Sequence, residues 1–113
     1  MVYCLLIRGD DGMYGNPQKR TSEVQEMRRE GGRWLKDLRE KVGLSQRQLA
    51  DRVGADYYTF ISQLETGRGR IPPDRYETWA RALDVDPRYF VKGVLRYYDP
   101  ITFTLLFEGD SPV

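Results

Sequence analysis

The feature that most constrains this chain is its punctuation between Gly43 and Gly67, which leaves room for two short helices and little else. Gly43 stands where a helix ends on a left-handed residue, and Ser45 with Gln48 three positions on forms a capping box that opens a new helix. Gly54 closes it, which predicts a helix over Gln46 to Val53. Asp56 is a suitable N-cap, and a further helix is predicted over Tyr57 to Thr66, ended by Gly67. Two short helices a few residues apart are the outline of a helix-turn-helix. Leu49, Ala50 and Val53 give the first a narrow apolar face, with small Ala50 permitting close approach, and Ile61 and Leu64 supply the answering face.

The flanks extend this pattern. Met1 to Arg20 holds one short apolar run and two turn-forming stretches, Gly9-Asp-Asp-Gly12 and Gly15-Asn-Pro17, and reads as an arm with room for one strand. Ser22 and Gln25 form a capping box for a helix to Val42, with Leu35, Leu38 and Val42 on one face. The pair Gly31-Gly32 is expected to break it into a leading helix and a first domain helix. Pro72-Pro73 halts the chain; Asp74 and Glu77 then suggest a third capping box, and Tyr76, Trp79, Ala80 and Leu83 an inward helical face. Asp86-Pro87 opens a fifth helix to about Tyr98, with Phe90, Val94 and Leu95 apolar. Beyond Asp99-Pro100, Ile101, Phe103, Leu105 and Phe107 alternate with mostly smaller or polar residues, which predicts a β-strand.

Composition excludes several functions. A chain of 113 residues has room for one domain, and 40% apolar with 31% charged residues is the balance of a chain that folds. Histidine is absent and cysteine occurs once, so the usual zinc sets, an internal disulfide and histidine-based catalysis are unavailable. No enzyme activity, metal or cofactor is expected. The longest apolar run, Cys4 to Ile7, is far short of the roughly 20 residues that cross a bilayer. No membrane partner is expected, and the chain is assigned to the cytoplasm, with Cys4 reduced and inert. The net charge of +1 hides an uneven distribution: residues 27 to 73 carry ten basic against six acidic side chains. Positive charge in the middle third favours a polyanionic partner.

Leu44-Ser-Gln-Arg-Gln-Leu-Ala-Asp-Arg-Val-Gly54 followed by Phe60-Ile-Ser-Gln-Leu-Glu-Thr-Gly67 closely resembles the helix-turn-helix of the XRE family, the phage-repressor-like DNA-binding proteins. The resemblance covers about residues 33 to 95. It implies a mostly α fold, a five-helix phage-repressor-like domain; together with the reading of the flanks, the chain divides into an N-terminal arm (1–21), this domain (22–98) and a strand-forming tail (99–113). One departure is that Gly54 to Ile61 is one residue longer than the usual family spacing.

The resemblance also implies roles. Gln46 falls where the family's glutamine contacts a phosphate and buttresses the recognition helix. Tyr58, Thr59, Ser62 and Gln63 fall on its base-reading positions, and Gln63 suits the two-bond pattern of adenine. Arg68 and Arg70 lie in the loop where related repressors touch the DNA backbone. Arg47 opposes the dipole at the start of its helix, which a facing phosphate would explain. Arg39 and Glu65 occupy the positions of a buried structural ion pair. The alternatives are that Tyr57 and Tyr58 pack on neighbouring helices, that Gln63 is an idle surface amide, and that Arg39 and Glu65 are separate surface charges.

The function so implied is a sequence-specific transcriptional regulator, a repressor, binding double-stranded DNA at an inverted-repeat operator as a homodimer. Ile101, Phe103, Leu105 and Phe107 are its expected dimerisation residues, through antiparallel pairing of two tails; the alternative is pairing of the tail with Val2 to Ile7 of the same chain. The competing function is a protein-interaction module on the same fold, an antitoxin or anti-activator, with Tyr57, Tyr58 and the tail as contact surface for a protein partner.

Overall fold

The first helix, α1, runs unbroken from Pro17 to Lys41. After it come α2 (Gln46–Val53), α3 (Thr59–Glu65), a 3₁₀ turn at Pro73–Arg75 leading into α4 (Tyr76–Ala82), α5 (Pro87–Tyr98), α6 (Pro100–Phe103) and a π turn at Thr104–Glu108. This computed structural model describes residues 17–108, so the expected strand at Val2 to Ile7 lies outside the described residues. Among those residues there is no strand, and no helix is long and apolar enough to cross a membrane.

α2 and α5 begin and end where local chemistry places them. Ser45 and Gln48 close both halves of a capping box, and Gly54 takes the left-handed conformation at φ 75° that ends α2. Asp86 accepts from the amides of Arg88 and Tyr89, with Pro87 opening the first turn of α5. The core forms where the five larger helices meet: Leu35 and Leu38 of α1, Leu49 and Val53 of α2, Ile61 and Leu64 of α3, Trp79 and Ala80 of α4, Phe90 and Val94 of α5. Each fully buried large side chain contributes about 1.5–3 kcal/mol.

Four expectations about element boundaries are corrected. α1 starts at Pro17, so Ser22 lies inside it rather than capping it. The Gly31-Gly32 pair does not break it. Both glycines are buried, and a Cβ on Gly32 would stand 2.5 Å from the backbone oxygens of Leu64 and Glu65. They are sites of close approach: α1 crosses the end of α3 with main chain against main chain, and packing outweighs the roughly 1 kcal/mol that glycine costs in a helix. α3 starts at Thr59, with Tyr58 at the N-cap and no side-chain cap, so Asp56 does not open it. The extra residue between Gly54 and Ile61 is thus absorbed ahead of the helix. Asp74 likewise makes no capping box; Pro73 opens a 3₁₀ turn from which α4 continues.

The tail is helical, and the β-strand is incorrect. Pro100 presets the first turn of α6, and helical bonds satisfy the backbone locally, whereas a lone strand would leave its polar groups unpaired. Phe103 and Phe107, four residues apart, meet in a tilted arrangement with ring centroids 5.1 Å apart. Arg96 lies over Phe103 at 5.0 Å and Lys92 over Phe107 at 4.9 Å, folding the tail back along the polar side of α5. The alternation therefore does not define a face: Phe103 is buried, while Ile101, Leu105 and Phe107 are exposed.

Candidate nucleic-acid interface

The site is built around one carboxylate. Glu65, at the end of α3, accepts from Arg39 of α1 through both oxygens, Nε to Oε2 at 2.6 Å and Nη2 to Oε1 at 3.0 Å. Oε1 also accepts from Nε2 of Gln46 at 2.9 Å, and Nη1 of Arg39 donates to the carbonyl of Leu44 at 2.8 Å. Arg39 and Glu65 are both buried. Hydrogen bonding to Glu65, opposed in part by desolvation, holds the Arg39 guanidinium above its usual range, so Arg39 keeps its charge. These bonds join three helices at a point, and the glycine contact of α1 with the end of α3 lies two turns away on α1. Movement of α3 is thereby resisted at both places, against α1 at each and against α2 through Gln46.

With the inward face of α3 so held, its other face is open. Thr59 and Gln63, one turn apart, are exposed, and Ser62 is half-buried between them and the core. Tyr58, just ahead of the helix, is partly exposed, and its ring lies under the Arg47 guanidinium at 4.8 Å. That contact ties the start of α3 to the start of α2 while leaving the guanidinium edge available. At the start of α2 the capping box occupies Ser45 and Gln48, while the amides of Gln46 and Arg47 have no partner within the helix. A helix start with two free N–H groups and an arginine suits a phosphate oxygen.

The two loop arginines part company. Arg68 is exposed. Arg70 turns inward, with Nη2 2.7 Å from Asp99 Oδ2 and 3.3 Å from the Tyr76 hydroxyl, and its guanidinium lies over the Tyr98 ring at 5.5 Å. Its bond to Asp99 pushes its pKa well above the arginine range. The structure therefore gathers Gln46, Arg47 and Tyr58 at the start of α2, with Thr59, Ser62 and Gln63 beside them, and directs Arg70 to the root of the tail. Sequence reasoning missed Asp99 and Tyr76 as partners of Arg70, and Arg75, which donates to the carbonyl of Val53 and anchors the 3₁₀ turn to the end of α2. No local signal marks the bonds of Arg70 to Asp99 and Arg75 to Val53, 29 and 22 residues apart.

A family model described as Helix-turn-helix matches residues 35–90, from the last two turns of α1 into α5. No curated protein matches the chain.

Proposed function

The chain belongs to the XRE family of helix-turn-helix DNA-binding proteins, and from that premise we propose that it is a sequence-specific transcriptional regulator acting as a repressor. It lays α3 in the major groove of an inverted-repeat operator, one subunit per half-site, with half-sites about 34 Å apart. The observation that carries this reading is the three-way bond among Arg39, Gln46 and Glu65, which fixes the bearing of α3 and leaves Thr59 and Gln63 open. Gln63 and Thr59 are the base-reading side chains, with Ser62 and Tyr58 flanking them. Gln46, Arg47 and Arg68 meet the backbone; Arg70 acts from behind, holding the loop that carries Arg68 to Asp99. The geometry supports this division because phosphate contacts need exposed cations and Arg70 is engaged within the chain. No cofactor takes part.

The experiment is a selection of genomic fragments on the purified protein. A site with two inverted half-sites is the expected product; failure to enrich any fragment would overturn the reading. The exposed Tyr57 favours a second reading, a protein-interaction module such as an antitoxin or anti-activator. Recovery of a stoichiometric protein partner together with an empty selection would move the function there.

A further inference from the structure

A groove of about 570 Å³ opens between the start of α3 and the 3₁₀ turn ahead of α4, a size within the roughly 300–1,000 Å³ of small-molecule sites. Phe60 and the buried Trp79 line its deep side, edge to face with centroids 6.4 Å apart. The Tyr57 ring, 74% exposed and no part of the core, stands in its wall. Asp56 and Asp74 also line the groove; both are exposed, and neither joins an ion pair among the described residues. From α3, Thr59 and Gln63 complete it. We propose that the groove binds a small planar organic cation, an aromatic ring bearing an ammonium or amidinium group, and that this ligand and DNA exclude one another. The binding stands on the groove itself, whereas the exclusion rests on the reading of α3 as the base-reading helix.

Charge and ring chemistry select the same occupant independently. Two carboxylates against one arginine leave the lining negative, and that arginine, Arg75, is engaged by the carbonyl of Val53. An anionic ligand would be repelled there and a cation attracted. The aromatic lining adds to this, because ring faces attract a positive charge while their edges and faces pack against a flat ligand. The bond of Arg75 to Val53 also ties the 3₁₀ turn to the end of α2, so the groove is held in shape before a ligand arrives. Exclusion follows from placement. A ligand filling the groove lies against Thr59 and Gln63, the side chains that meet base edges in the proposed complex. The effect is reciprocal, DNA weakening the ligand by the factor with which the ligand weakens DNA. At a ligand concentration ten times its dissociation constant, full competition lowers the apparent affinity for DNA about tenfold.

The test begins without DNA. Amide NMR spectra of the full chain are titrated with two cationic probes, tryptamine and benzamidine, and with neutral tryptophol and anionic indole-3-acetate beside them. Both cations should shift resonances clustered at 53–63 and 72–79, with dissociation constants of about 1 mM or lower, and tryptamine should bind at least about tenfold tighter than tryptophol. Asp56→Asn combined with Asp74→Asn should erase that preference, and Tyr57→Ala should weaken both cations at least about threefold. All three positions are exposed, so circular dichroism and melting temperature should stay unchanged. Silence toward both cations, shifts outside those segments, or equal affinity in wild type and the double asparagine variant would overturn the site. On the selected operator, tryptamine at ten times its dissociation constant should lower the affinity about tenfold, and an unchanged affinity would overturn the exclusion. An empty fragment selection would sink the regulator reading and the exclusion with it, while the cation site would stand on its own titration.

Discussion

Replacing Gly32 by alanine separates two views of the glycine pair in α1. If the pair marked a weak point in the helix, alanine would strengthen it by about 1 kcal/mol, the difference in helix propensity. The structure gives the opposite sign. The new Cβ would stand 2.5 Å from the carbonyl oxygens of both Leu64 and Glu65, which belong to backbone and cannot swing aside. Ordinary contact begins near 3.4 Å, so α1 must retreat by about 1 Å. Overpacking of this kind typically costs 1–3 kcal/mol. The retreat also pulls Arg39, two turns along α1, away from Glu65, stretching a bond of 2.6 Å. The net expectation is a loss of about 2 kcal/mol, a fall in melting temperature of roughly 8–16 °C for a domain this size. Thermal denaturation followed by circular dichroism reads it. An alanine variant as stable as wild type or more so would refute the close-approach argument, and with it the account of how α1 fixes α3.

Glu65→Ala leaves Arg39 buried without a partner and should cost about 3–5 kcal/mol, visible in urea denaturation; an unchanged midpoint would show that the cluster contributes nothing. Tyr98→Phe should be neutral or stabilising by up to about 1 kcal/mol in the same assay, because the buried hydroxyl has no hydrogen-bond partner among the described residues. Burial raises the Tyr98 pKa, so its neutral form contributes stability below the unfolded value near 10 that is lost as pH rises through the folded value. Alkaline unfolding should therefore begin at higher pH in the phenylalanine variant, and identical profiles would count against this. Arg68→Ala should weaken all DNA sites alike and flatten the salt slope by about 1, as loss of one phosphate contact does, whereas Arg70→Ala should chiefly lower the melting temperature. Equal salt slopes in wild type and Arg68→Ala would remove that residue from the interface.

Legibility in the sequence followed the range of the interaction. Ser45, Gln48 and Gly54 act on their own helix, and α2 spans the predicted residues. The start of α3 was misplaced because Asp56 has the chemistry of a cap, while the extra residue of the turn moves it out of position. Gly31 and Gly32 read as a break because only α3 and α5, distant in sequence, show why they are glycine. Seven residues of alternating size at 101–107 suit a strand, yet Phe103 and Phe107 suit a helix equally, and the cations that hold them come from α5. Arg39 and Glu65, 26 residues apart, were paired through resemblance to a family; Arg70 and Asp99, 29 apart, had no such guide.

The central claim is that α3 reads bases through side chains freed by the cluster at Glu65. It is tested most directly by measuring affinity for the selected operator with each purine in turn replaced by its 7-deaza analogue, which removes one major-groove acceptor, in wild type and in Gln63→Ala. The account predicts that at one position per half-site the analogue costs the wild type about 1–3 kcal/mol and costs the variant almost nothing, since the contact is already lost. Equal losses in the two proteins at every position, or no loss at any, would contradict it.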